Sequence, residues 1–283
     1  MLNVRLIPRL DIKGPNLVKG IHLEGLRVLG KPEVFAKYYY ENGADELFFQ
    51  DTVASLYDRN SLQSIITKTA KEIFIPLTVG GGLRTIEDIN NALRSGADKV
   101  AINTAAVKNP EFVRQAATKF GSSTIVVALE VIKERDGNYY VFTDNGREYS
   151  GLEAISWAKQ VEELGAGEIV ITSVDKEGTG EGFDIDLINK IASNVNIPVI
   201  AHGGAKDSLD VVKAVKEGKA DAVAVASILH YAAMKHIEDS NEDYQIEGNT
   251  SFMASGKTPK HILPTDLIRL REGLITAKIP TRK

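Results

Sequence analysis

Two carboxylates stand out for their surroundings. Asp11 lies in VRLIPRLDI (4–12) and Glu130 in TIVVALEV (124–131), both runs that read as apolar strands. An acid inside an apolar strand is costly unless it is paired or hydrated, so neither is expected to be idle. Two opposed carboxylates suit general acid–base chemistry, one giving a proton while the other takes one. A pair of buried salt-bridge acids is the plainer alternative. Gly81-Gly82 and Asn103-Thr104, each followed by a helical stretch, have the makings of an anion cradle. Glycine lets backbone approach an anion, helix starts present free N–H groups, and the hydroxyl adds a donor. Gly203-Gly204 and Ala226-Ser227 repeat the arrangement, joined by Gly178 in Glu177-Gly178-Thr179. One Gly-rich turn is often only a turn. Two at matching places imply a substrate with two phosphates.

Other residues fall near the same place. Lys19 is the nearest cation, although alone it reads as a solvated surface lysine. Asp51, Thr172 and His202 point toward the same mouth, Asp51 to bind substrate or orient a neighbour, His202 as a packed or solvent-facing residue rather than a catalyst. The five histidines have no metal-ligand spacing, so neither a metal nor a cofactor is expected.

The elements that must position these residues repeat. GADELFFQD (43–51) returns as GAGEIVITS (165–173), and GGLRTIEDINNALRSGADKVAINTA (81–105) returns as GGAKDSLDVVKAVKEGKADAVAVASI (203–228). The offset is 122 residues from Gly43 to Gly165 and 123 from Thr104 to Ser227. Short apolar runs at 4–12, 46–51, 74–80, 99–103, 124–131, 168–174, 197–203 and 221–226 alternate with amphipathic helical stretches that end near glycine. Eight βα units in two sets of four predict a (β/α)8 barrel of the TIM type with internal half-barrel duplication. A doubly wound open sheet is the runner-up, but it leaves the duplication unexplained. The whole chain is expected to be one barrel. Two segments interrupt it: 133–151, which reads as a β-hairpin around Asp136-Gly137, and a long polar insertion at about 229–263 before a last helix over 264–277. Both fall on the face where barrel active sites are built.

A chain of 283 residues with 43% hydrophobic and 25% charged residues can bury a large core. Its net charge of −4 offers no basic field to nucleic acid, and no apolar run is long enough to cross a bilayer. Without cysteine, disulfides and thiolate catalysis are excluded. With no signal-peptide pattern at its start, a cytoplasmic enzyme is expected.

IPRLDIKGPNLVKG, DTVAS, VGGG, INTAAVKNP, SVDKEGT and GGA together closely resemble the HisF-type family, the cyclase subunits of imidazole glycerol phosphate synthase in histidine biosynthesis. The resemblance runs from residue 1 to about 231 and returns in the last helix. It implies ammonia addition to a bisphosphorylated ribulosyl-formimino aminoimidazole carboxamide ribonucleotide. Ring closure and cleavage then yield imidazole glycerol phosphate and aminoimidazole carboxamide ribotide. Asp11 and Glu130 match the family's catalytic carboxylates. Arg5, Glu46, Lys99 and Glu168 match a ring of charges that gates ammonia at the N-terminal mouth, and Asp98 matches an interface acid. The ring implies a heterodimer with a HisH-type glutaminase, whose cysteine chemistry this chain cannot perform. Four features depart from the family: Glu130 replaces an aspartate, Arg9 a cysteine, Glu177 an aspartate, and the segment after the eighth strand is longer. They leave a second reading open, a HisF-like paralogue delivering ammonia to a sugar or nucleotide-linked acceptor in surface-polysaccharide biosynthesis.

Overall fold

The computed structural model describes residues 3–54, 62–237 and 259–282. Eight parallel strands close into a barrel: β1 (Arg5–Lys13), β4 (Leu47–Asp51), β5 (Leu77–Gly80), β6 (Lys99–Ile102), β7 (Ile125–Lys133), β10 (Glu168–Ser173), β11 (Val199–His202) and β12 (Ala222–Val225). Each pairs with the next, and β12 with β1, so no edge remains. The expected third and seventh strands start later than their apolar runs. Pro76 and Pro198 have no N–H to give a ladder, so pairing begins beyond them.

The helices α1 (Pro32–Glu41), α2 (Gln63–Thr69), α3 (Ile86–Arg94), α4 (Thr104–Lys108), α5 (Glu111–Phe120), α6 (Ala154–Glu163), α7 (Ile185–Ala192), α8 (Ser208–Lys216), α9 (Ser227–Ala233) and α10 (Leu267–Thr276) surround it. Their apolar faces and the outward residues of the strands form the main core. The duplication extends to the caps. Thr85 opens α3 in a capping box with Asp88, and Asp207, 122 positions on, opens α8 by accepting from Leu209 and Asp210. At the N-terminal end, Asp45, Asp98 and Asp221 each accept a backbone N–H from the neighbouring strand region, at Leu6, Leu77 and Val199.

The barrel interior is layered. Ile7, Phe48, Ala101, Val126, Val170, Ile200, Ala222 and Ala224 form an apolar middle layer. Polar side chains lie at both ends of it. Two hairpins rise at the C-terminal end. β7 runs on through the turn at 134–138 into antiparallel β8 (Tyr139–Thr143), the hairpin expected around Asp136-Gly137. β8 then pairs with β9 (Glu148–Glu153), a second hairpin. The first βα connection also holds a hairpin, β2 (Asn16–Ile21) with β3 (Glu24–Gly30), which is absent from the strands expected from sequence. Gly14, Gly20, Gly25 and Gly30 break the alternation that would have marked it. Its tip is tied down where the His22 N–H donates to the Glu177 carbonyl (2.9 Å) and Asn145 Nδ2 donates to the Leu23 carbonyl (3.0 Å). Of the expected insertion at 229–263, residues 238–258 lie outside the described residues.

Candidate active site

At the C-terminal end of the barrel, Asp11 is enclosed by cations. Its Oδ1 accepts from Arg9 Nε at 3.0 Å and its Oδ2 from Lys19 Nζ at 3.1 Å. Lys19 also bonds Glu177, whose other oxygen accepts the Leu23 N–H at 3.2 Å. The expectation of a solvated Lys19 is overturned, because the β2–β3 hairpin folds over the mouth and carries the side chain inward to 2% exposure. Burial alone would push the Asp11 carboxyl up, but Lys19 and then Arg9 outweigh it and hold the group well below the usual carboxylate range. Arg9 crosses the lumen as well. Its Nη1 donates to Thr172 Oγ1 on β10 at 2.9 Å, and its guanidinium lies 5.6 Å from the Phe48 ring centre.

Glu130 is held differently. One oxygen accepts the Gly146 N–H at 2.8 Å, from the β8–β9 turn in which Asp144, Asn145 and Gly146 all have positive φ (52°, 63° and 75°). Burial pushes this carboxyl up to about 7, against the pull of that N–H and of Arg9. Two central carboxylates with opposite shifts are what acid–base chemistry near neutrality needs, one ionised and one able to carry a proton.

The two cradles match in backbone detail. Gly81 and Gly82 have φ of 97° and 72°, Gly203 and Gly204 of 99° and 92°. A Cβ on Gly81 would sit 2.3 Å from the Asp51 carbonyl, and one on Gly203 2.6 Å from the Ser173 carbonyl, 122 positions on. Asn103 (φ −127°, ψ −82°) and Ala226 (φ −123°, ψ −85°) share one backbone conformation before Thr104 and Ser227. The first cradle opens into a cavity of about 370 Å³ lined by Gly81, Gly82, Asn103, Thr104, Glu130 and Asp51 among others. The second, with Gly178, Gly203, Gly204, Ala226, Ser227 and His202, encloses about 10 Å³. Beside it, sharing Gly178 and Ser227, lies a cavity of about 330 Å³ that reaches Arg27, Tyr231 and His261. Asp51 also accepts the N–H groups of Val53 and Ala54, so it shapes the loop after β4. Of the two placements open to His202, packed or solvent-facing, the structure has the packed one, 4% exposed.

The opposite end of the barrel carries a closed ring of charge. Arg5 Nη1 meets Glu46 at 2.8 Å, Lys99 bridges Glu46 (3.2 Å) and Glu168 (2.8 Å), and Glu168 returns to Arg5 Nη2 at 2.6 Å. Thr78 Oγ1 donates to the remaining Glu46 oxygen at 2.6 Å. The ring stands at one end of the apolar layer and Arg9 at the other. Asp98 is exposed beside the ring, at the foot of β6.

Sequence reading passed over Arg84, which lines the larger cavity and donates to the Ala54 carbonyl at 2.6 Å. The repeat holds a signal for it, since Lys206 stands 122 positions later, a cation after each glycine pair. Gly146 was also missed, because its link to Glu130 depends on the β8–β9 turn. Among the described residues no three His, Asp or Glu side chains form a metal-ligating group, and no helix is long and apolar enough to cross a membrane.

Known proteins resemble the chain over most of its length. The family model described as histidine biosynthesis protein matches residues 5–235. The chain is 56% identical over 204 residues to the imidazole glycerol phosphate synthase subunit HisF of Legionella pneumophila, covering 72% of this chain and 96% of that one. It is 47% identical over 231 residues to HisF of Alkaliphilus metalliredigens (82% and 92%) and 46% over 251 residues to HisF of Methanococcus maripaludis (82% and 92%). The chain therefore belongs to the histidine biosynthesis protein family, alongside the HisF subunits of imidazole glycerol phosphate synthase.

Proposed function

We propose that the chain is the ammonia-dependent cyclase-lyase subunit of imidazole glycerol phosphate synthase. It converts the bisphosphorylated ribulosyl-formimino aminoimidazole carboxamide ribonucleotide to imidazole glycerol phosphate and aminoimidazole carboxamide ribotide. The observation that carries this reading is the pair of matched cradles flanking two buried carboxylates, one paired with two cations and one with a backbone N–H. The phosphates anchor the ends of the substrate, leaving its middle beside Glu130 and Asp11. Ammonia addition, ring closure and cleavage each move protons. Glu130 trades them, and ionised Asp11, fixed by Arg9 and Lys19, stabilises developing positive charge. Lys19, Asp51 and Thr172 line the substrate's path.

The cradles can be tested apart. Thr104→Val and Ser227→Ala should each raise KM for the bisphosphate about tenfold, the effect of losing one hydrogen bond to a charged group. The double variant should lose about a hundredfold, because separate sites add. A double variant no worse than either single one would mean a single shared phosphate site.

The charged ring gates ammonia from a HisH-type glutaminase docked on the N-terminal face, where Asp98 forms part of the heterodimer contact. In the reconstituted pair, Arg5→Ala should leave ammonium-driven turnover unchanged. Glutamine hydrolysed per product formed should rise above unity as ammonia escapes. A ratio that stays at unity would contradict the gate. The second reading, ammonia delivery to a sugar or nucleotide-linked acceptor, is favoured by one observation: Arg9 and Glu130 depart from the family at the reacting centre itself.

A further inference from the structure

The two halves differ at two paired positions near the substrate mouth. Gln50, Gly80 and Ala101 in the first half correspond to Thr172, His202 and Ala224 in the second, at offsets of 122, 122 and 123. The strand registers agree, with Gly80 paired to Gln50 and Ala101 and His202 to Thr172 and Ala224. In the first half a Cβ on Gly80 would meet Gln50 Oε1 at 2.6 Å, so the glutamine amide fills the space. In the second half the residue on β10 is the shorter Thr172, and an imidazole stands in the place of a hydrogen. The ring lines the second cradle with Gly203, Gly204 and Ser227.

The chemistry of that ring is narrowly defined. Nδ1 lies 2.9 Å from the Ala224 carbonyl, which only accepts, so Nδ1 carries the hydrogen. Nε2 is buried and has no hydrogen-bond partner among the described residues. Burial, then Arg9 and Lys19, hold the imidazole well below its usual range, hence neutral, despite the pull of Asp11. Nε2 is therefore a bare acceptor. It has nothing to offer a phosphate oxygen, which also accepts. It needs a donor on the ligand.

We propose that His202 is a specificity-determining residue whose Nε2 accepts a hydrogen bond from a hydroxyl of the phosphate ester held by the second cradle. Through that bond it decides which end of a two-ended substrate enters which half of the barrel. The inference rests on the phosphate reading of the cradles. It adds that the second cradle takes a polyol phosphate, whereas the first has no such acceptor fixed at Gly80. A site built around a buried acceptor discriminates against ligands that lack the matching donor, because the acceptor is then left unpaired.

Glycerol 3-phosphate and ethyl phosphate differ in the hydroxyls and make suitable probes. Binding at the second cradle is read from the Ser227 amide resonance, and hydrogen bonding to His202 from its Nε2 nitrogen-15 shift. The wild-type chain should bind glycerol 3-phosphate about tenfold more tightly than ethyl phosphate, and only the former should move the Nε2 resonance. His202→Phe should bind the two esters alike, while His202→Gln, which restores an acceptor at similar reach, should recover part of the preference. Equal affinities in the wild type, or a preference that survives His202→Phe, overturn the inference and leave the cradles standing. Failure of both esters to bind at Ser227 overturns the cradle reading and this inference with it.

Discussion

Asp11→Asn is expected to cost the protein about 3–5 kcal/mol of stability as well as its turnover. Both oxygens of this buried carboxylate accept from cations, Arg9 Nε and Lys19 Nζ. Lys19 keeps Glu177 when the charge is removed. Arg9 keeps the Thr172 hydroxyl, the Phe48 face and the attraction of Glu130, but no carboxylate bonded to it. Removing one member of a buried ion pair leaves the other charge uncompensated, which is where the 3–5 kcal/mol arises. At roughly 2–4 °C per kcal/mol for a domain of this size, the melting temperature should fall by about 10 °C. Turnover should fall by about a hundredfold or more. Adding Arg9→Met separates the two effects. It removes the stranded guanidinium, so much of the stability should return while turnover stays lost. Thermal unfolding of the three proteins decides this, and an unchanged melting temperature in Asp11→Asn would mean the ion pair is not a structural one. The sign with pH follows from the depressed Asp11 ionisation. Its stabilising contribution is present above an ordinary carboxylate pKa of about 4 and is lost only as pH falls through the folded-state value.

Glu130→Gln should do the opposite to stability while also removing turnover. Its carboxyl is pushed from 4.5 up to about 7, so keeping it ionised in the folded protein costs about 3 kcal/mol. A raised pKa means the folded state binds the extra proton. The wild type therefore loses stability as pH rises from about 4.5 through about 7. Glutamine can still accept the Gly146 N–H and carries no such cost. The variant should gain on the wild type as pH rises, with the full difference above pH 7 and none well below pH 4.5. Urea unfolding across that range reads the effect. Parallel pH curves for the two proteins would show that Glu130 titrates normally.

The barrel itself was legible because its signals are local and repeated. Apolar runs alternate with helical stretches, and the segments beginning at Gly43 and Gly81 return at nearly one offset. The glycine pairs were legible for the same reason, and their φ values match across the halves. The burial of Lys19 was not, because it depends on a hairpin whose glycines hide the strand pattern. Nor was the bond from Arg9 to Thr172, which spans 163 residues of sequence and crosses the lumen. The two carboxylates looked equivalent as sequence. They diverge through what surrounds them, two cations for Asp11 and one backbone N–H for Glu130.

The most direct test supplies the isolated chain with ammonium salt and the bisphosphorylated ribonucleotide, and follows both products across neutral and alkaline pH, with Glu130→Gln alongside. Imidazole glycerol phosphate and aminoimidazole carboxamide ribotide should appear in equal amounts. The wild-type rate should turn on a group titrating near 7, and the variant should be slower by at least about a hundredfold. A wild-type chain that leaves the substrate unconsumed, or a glutamine variant that matches its rate, would contradict the account.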